Sequence, residues 1–242
     1  MIRNVILFSF YIVFILSSYG QENKNQVDIH GLKTGVWEKK YPNGNIRYRG
    51  QFEKGIEVGV FKFYSEFYSN HPLIVKTYTK NSSLCKVAYF TQTGKKESEG
   101  EMQGKLRTGK WIYFDRTGQH IILQENYVND KLSGTKRIFY PDGSLTEISH
   151  YKDGKLHGEN MRYTDKGKLI AVVPYQNGKI HGKIFYYHNT GIIRETGFYD
   201  HGKRVGRWEF YIDGVLAGFE EPNKKSEKKA ISLEELKLRK KK

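Results

Sequence analysis

The sequence predicts an all-β protein: one elongated, twisted single antiparallel sheet, a β-meander of about eight hairpin repeats of 24 residues. Three observations carry this. Glycines recur at a fixed period. Asn-Gly and Asp-Gly pairs separate segments of strand length. Aromatic residues stand at constant offsets from the glycines. Composition agrees, with 25 Gly, 18 Tyr and 14 Phe but only 5 Pro in 242 residues. A hydrophobic share of 38% beside 28% charged residues borders on a disordered composition, but 14% aromatic residues argue against disorder. Coiled coil, collagen and polytopic membrane protein are excluded. A lone cysteine, Cys85, excludes an intramolecular disulfide framework and a Cys-rich zinc site.

Residues 1–20 read as a signal peptide. Arg3 supplies a positive start, and Val5 to Leu16 is an apolar run too short to span a bilayer comfortably. Ser18 and Gly20 are small residues ahead of a polar stretch, so cleavage is expected between Gly20 and Gln21. An uncleaved N-terminal anchor is the alternative. Export through a Sec-type route would place the mature chain outside the cytoplasm, in the periplasm, the outer envelope or the medium. Residues 21–27 are a linker.

Residues 28–221 are the repeat array. The first glycine series is Gly35, Gly59, Gly109, Gly134, Gly158, Gly182 and Gly206, with Cys85 at the one missing position. These are expected to be repeat-turn glycines. A second series follows nine residues later at Gly44, Gly94, Gly118, Gly143, Gly167 and Gly191. A third marks another turn at Gly55, Gly104, Gly154, Gly178 and Gly202, with Asp130 near the place where it skips. Glycine accepts the positive φ that hairpin turns require. Each unit is thus two strands and two turns, about sixteen strands in all. The second unit is distorted, because Ser65 to Pro72 reads as irregular.

Two aromatic sets follow the period. Trp37, Phe61, Val87, Trp111, Ile184 and Trp208 stand two residues after the first-series position. Tyr64, Phe90, Phe114, Phe139, Tyr163, Tyr187 and Tyr211 stand five after it. Offsets of opposite parity point to opposite faces of a strand. Both faces are then partly apolar, and the sheet must twist and curl to shelter a thin core. Lys136 and Asn160 occupy the tryptophan offset in the middle repeats, which predicts a wetter outer face there.

The pattern Tyr151, Asp153, Gly154, Lys155, Gly158, Tyr163, Gly167, and its counterparts one and two periods on, resembles the MORN repeat family, most closely its variant repeats. The resemblance covers about residues 28–221. It implies an elongated, twisted antiparallel sheet with an interaction role. In bacteria such arrays include the YwqK-type antitoxins paired with secreted toxins, so an immunity-like role is one form of that implication.

After Glu221 the period stops. Residues 222–242 hold nine basic and three acidic side chains, a large share of the net charge of +15. Ser232 and Glu235 have capping-box spacing, so the basic tail is either disordered or a short capping helix.

No catalytic constellation is present, and the chain is expected not to be an enzyme. No cofactor and no metal are expected. His157 and His181 hold the same repeat position, about 9.6 Å apart across two strands, too far to share one zinc. The candidate binding residues are Trp37, Trp111, Trp208, Tyr163, Tyr187 and Tyr211, side chains suited to protein recognition. The expected partner is an unidentified protein. An anionic envelope or membrane surface, met by the basic tail, is the alternative. Nucleic acid is disfavoured, because the aromatics are first explained by a core and export removes the chain from nucleic acid.

Overall fold

The computed structural model describes residues 23–80, 82–222 and 229–230. The expected cleavage point at Gly20 and Gln21 and the capping segment from Ser232 lie outside the described residues.

The described residues form strands without helices. The first half contains β1 (Gln26–Val27), β2 (Lys33–Lys40), β3 (Ile46–Glu53), β4 (Ile56–Phe63), β5 (Ile74–Tyr78), β6 (Leu84–Phe90), β7 (Lys96–Gln103), β8 (Leu106–Phe114) and β9 (Ile121–Val128). The middle contains β10 (Lys131–Leu132), β11 (Gly134–Phe139), β12 (Leu145–Lys152), β13 (Lys155–Leu156), β14 (Gly158–Tyr163) and β15 (Leu169–Gln176). The last part contains β16 (Lys179–Ile180), β17 (Gly182–Tyr187), β18 (Ile193–Asp200), β19 (Lys203–Ile212), β20 (Val215–Glu220) and β21 (Lys229–Ala230). Three strands are split, at Ser133, His157 and His181, and β1 and β21 are two residues each. That leaves the sixteen full strands that eight hairpin repeats require. Each pairs antiparallel with its sequence neighbours, and the ends stay open, β1 on β2 and β21 on β20.

Two turn types alternate along the sheet. At one edge five hairpins close through two residues of positive φ, such as Asp153 (50°) and Gly154 (79°), a type I′ turn whose twist matches the strands. Where the third glycine series skips, Asn129 (49°) and Asp130 (65°) adopt the same turn, because their short side chains tolerate that region. At the other edge a type I turn followed by one positive-φ glycine is the usual closure, while Asp213 (51°) and Gly214 (80°) close the last hairpin. Gly191 N–H donates to the His188 carbonyl and His188 N–H to that of Ile192, both at 2.8 Å. Pro42 and Pro141 preset the second residue of this turn in their repeats.

The first glycine series is not a series of turns. These seven residues lie inside or at the start of strands, all with positive φ. All but Gly35 mark places where one strand carries extra residues. Thr196 faces Glu209 and Phe198 faces Val205, so two steps on β18 match four on β19, around Gly206. Cys85 fits the rule from the other side. An L-residue there cannot take the bulged conformation cheaply, and β6 pairs with β5 in unbroken register. The second repeat is distorted as expected: residues 64–73 form an irregular connection between β4 and β5.

The core is centred on one row of residues crossing the sheet at right angles to the strands, flanked by buried Phe52, Cys85, Tyr127 and Ala171. It runs through Trp37, Gly50, Phe61, Lys76, Val87, Gly100, Trp111 and Glu125. It continues through Lys136, Ser149, Asn160, Val173, Ile184, Gly197, Trp208 and Glu220. A single sheet has no second layer to cover its rings. Here the rings lie down. A Cβ on Gly50, Gly100 or Gly197 would come within 2.2–2.4 Å of the ring of Phe61, Trp111 or Trp208. Each ring therefore rests flat on a neighbouring glycine backbone. Trp208 is 0% exposed, with Tyr199 edge-on at 5.2 Å and the Arg204 guanidinium 3.9 Å above its ring centre. Two apolar clusters result, around Val87 and Trp111 and around Val173, Ile184 and Trp208.

Candidate binding face

Between those two clusters the core row turns polar. Glu125, Ser149 and Asn160 are buried in it, and Lys136 is largely covered. The repeat explains the substitution pattern. An aromatic ring needs glycine on the strand before it, whereas Lys136 stands beside Glu125 and Asn160 beside Ser149. Asn160 Nδ2 donates to Ser149 Oγ at 2.9 Å and to Glu147 Oε1 at 2.8 Å, and Ser149 Oγ donates to the same Glu147 oxygen at 2.6 Å. Lys136 Nζ lies 3.4 Å from Glu125. The Tyr127 hydroxyl donates to the other Glu125 oxygen and accepts from Arg107 at 2.7 Å. Burial, and then the Glu125 carboxylate, push the Tyr127 phenol well above its ordinary range. The expected wetness of the middle repeats is thus a satisfied polar core, not an open outer surface. Hydrogen bonds make its burial affordable.

Beside the buried row, on the same face, runs a second row with one half-covered or exposed side chain per repeat. It includes Phe63, Tyr89, Tyr113, Arg162, Tyr186 and Phe210. These stand four residues after the first-series position, an offset between the two that the sequence reading followed. Tyr89 and Tyr113 pack against one apolar cluster, Tyr186 and Phe210 against the other. Arg162 stands exposed where the row crosses the polar middle. The face therefore presents phenol and phenyl edges with a guanidinium at its centre.

The six candidate binding residues divide. Trp111 and Trp208 are core and offer no surface, because their rings lie on Gly100 and Gly197. Trp37, at the open end, is half-buried; its Nε1 donates to the Gln26 and Thr34 carbonyls, and the Lys33 ammonium lies 4.6 Å from the ring centre. Tyr163, Tyr187 and Tyr211 are half-buried at the strand ends, on the opposite face from the core row. They do not join the row of Tyr113 and Tyr186. Tyr163 serves the stacking instead: its carbonyl accepts the Tyr140 hydroxyl of the preceding repeat at 3.1 Å, as Tyr64 accepts that of Tyr41 at 2.9 Å.

The family model of the MORN repeat variant matches residues 33–54 and 132–153. Both windows contain a first-series glycine of positive φ, Gly35 or Gly134, then a Tyr-Pro-Asn-Gly or Tyr-Pro-Asp-Gly turn, and both end within or beside a two-residue turn. The other units repeat the same turn geometry, apart from the distorted second one. The chain is a MORN-variant repeat protein. No curated protein matches it. Repeats of this class are associated with protein and membrane binding.

In this MORN-variant array each two-residue turn docks on the repeat before it. Gly154, Gly178 and Gly202 N–H groups donate to the carbonyls of Leu132, Leu156 and Ile180, each at 2.8 Å. That contact brings together residues at different repeat positions, which comparison of equivalent positions misses. His181, at the split between β16 and β17, thereby meets Asp200 and His201 in the next turn. The two imidazole centres are 4.7 Å apart. Asp200 Oδ1 lies 3.3 Å from His181 Nδ1 and 2.6 Å from His201 Nδ1. The signal available in the sequence was the His-Gly turn at His201, one turn beyond His181-Gly182.

Proposed function

We propose that the chain is an exported, non-catalytic scaffold that binds a protein partner through the face carrying Tyr89, Tyr113, Arg162 and Tyr186. The observation behind this reading is the registered row of Tyr, Phe and Arg side chains beside a rigid core, residue types that dominate binding energy at protein interfaces. Export rests on Arg3, the Val5–Leu16 run and Ser18 and Gly20. An immunity role against a secreted toxin, as the YwqK-type resemblance implies, is one form of such binding. The test is capture from the cell envelope with protein beginning at Gln21. Arg162→Glu and Tyr113→Ser are expected to abolish capture while leaving the β-spectrum intact. Undiminished capture by both variants refutes the assignment of the face. N-terminal sequencing of exported protein is expected to start at or near Gln21, and recovery of full-length protein from the cytosol alone refutes export.

The charge of residues 222–242 supports a second reading, contact with an anionic envelope surface. Protein ending at Glu221 then binds anionic vesicles more weakly and with a shallower salt dependence. Equal vesicle binding by both forms removes that reading and leaves the first untouched.

A further inference from the structure

We propose that His181, Asp200 and His201 form a binding site for a divalent transition-metal ion of the zinc class, at the junction of the last two repeats. One ligand atom from each residue lies within 4.8 Å of the others. Two imidazoles and a carboxylate suit zinc, copper or nickel rather than magnesium or calcium. The separation of His181 Nδ1 and Asp200 Oδ1, 3.3 Å, is already about what two ligands of one tetrahedral zinc require at ~2.1 Å each. Asp200 and His201, now in hydrogen-bond contact at 2.6 Å, need only to rotate slightly apart.

The backbone holds the three residues in place. Asp200 ends β18, His201 is the first residue of a type I′ turn with φ 46°, and Gly202 N–H anchors that turn to the Ile180 carbonyl next to His181. His181 Nδ1 is buried and makes no hydrogen bond, although it faces the Asp200 oxygen. An ion between them gives that nitrogen a partner. Asp200 and His201 are exposed, so the fourth coordination position opens to solvent, to be filled by water or a donor from a partner.

The preceding junction is a natural control. His157 sits as His181 does, with Gly178 N–H bonded to the Leu156 carbonyl, and its Nδ1 is likewise buried and unpartnered. The positions equivalent to Asp200 and His201 are there Gln176 and Asn177, amides in place of the carboxylate and second imidazole. The unpartnered nitrogen is thus shared by the two histidine junctions; the ligand set belongs to one of them.

Titration of the intact, chelator-treated chain with Zn²⁺, followed by calorimetry and by the metal content retained after dialysis, tests the proposal. One equivalent is expected to bind. His201→Asn rebuilds the natural Asn-Gly turn of Asn177 and Gly178, so it folds, and it is expected to weaken binding at least about tenfold. Asp200→Asn acts in the same direction, and His157→Ala leaves binding unchanged. The double change Gln176→Asp with Asn177→His is expected to raise the stoichiometry from one to two. Failure to bind zinc, or binding that His201→Asn and Asp200→Asn leave intact, overturns the assignment. None of these outcomes bears on partner capture by the Tyr113 and Arg162 face.

Discussion

At the scale of single residues, burial in this sheet depends on glycines that carry no turn. Gly197 makes room for Trp208 and Gly100 for Trp111. Trp111 also has an Nε1 donor bond to the Glu101 carbonyl at 3.1 Å, whereas Trp208 Nε1 is buried without a partner. Trp208 therefore contributes through packing and through the Arg204 and Tyr199 side chains around it. Trp208→Ala is expected to cost about 3–5 kcal/mol as a fully buried aromatic. Gly197→Ala, with φ outside the left-handed region, acts by overpacking alone and is expected to cost about 1–3 kcal/mol. Because both changes act on one contact, the double variant is expected to lose less than the two separate losses combined. Urea unfolding midpoints measure all three. Strict additivity would show that the ring does not rest on Gly197.

At the scale of elements, the two kinds of turn hold the repeats in register. Asn177 has φ 51°, in a region that costs an alanine about 1–2 kcal/mol. Asn177→Ala is expected to lose about that much, and Asn177→Gly almost nothing; equal losses would contradict the type I′ assignment. Two of the turns at the other edge depend on carboxylates. Asp142 accepts from the Ser144 hydroxyl at 2.6 Å and its backbone N–H at 2.9 Å, and these bonds hold its pKa below the ordinary 3.8. The Thr117 hydroxyl, then the His120 side chain, do the same for Asp115. A lowered native pKa means that the ionised carboxylate stabilises the fold fully above its ordinary value. The contribution is lost as pH falls through the lower native value. Ser144→Ala is expected to raise the Asp142 pKa toward 3.8 in a carbon-detected NMR titration. An unmoved titration would show that the Ser144 hydroxyl is not its partner.

At the scale of the molecule, each repeat touches only its neighbours, so stability is set by which repeats adjoin. Removing residues 158–181 takes out one whole period and joins His157 to Gly182. Ile184 then stands beside Ser149, with no steric conflict, and the β-spectrum is expected to persist with about two strand spacings, ~9.6 Å, lost in length. Removing residues 182–205 is the same deletion one period later. It sets Trp208 against Val173, where the ring needs glycine, so this protein is expected to unfold at clearly lower urea. Equal midpoints for the two deletions would mean that the pairing of ring and glycine does not govern which repeats can adjoin. Lys229 and Ala230 pair with Phe219 and Gly218, so the start of the tail covers part of the last strand's free edge.

The period, the hairpins, the count of strands and the distortion of the second repeat were legible in the amino-acid sequence. They depend on φ preferences and on local spacing, which act within a few residues. The tryptophan offset was legible too, as a set, but its role was not. Whether Trp111 and Trp208 face a partner or a core depends on what lies on the adjoining strand. Gly100 and Gly197 fall outside the regular series, so their purpose shows only once the register pairs them with the rings. The first glycine series likewise reads as turns until pairing reveals extra residues on one strand. The polar middle row and the junction of His181 with His201 have the same origin. Each joins residues at different repeat positions, and only the stacking of one repeat on the next determines which side chains share a place.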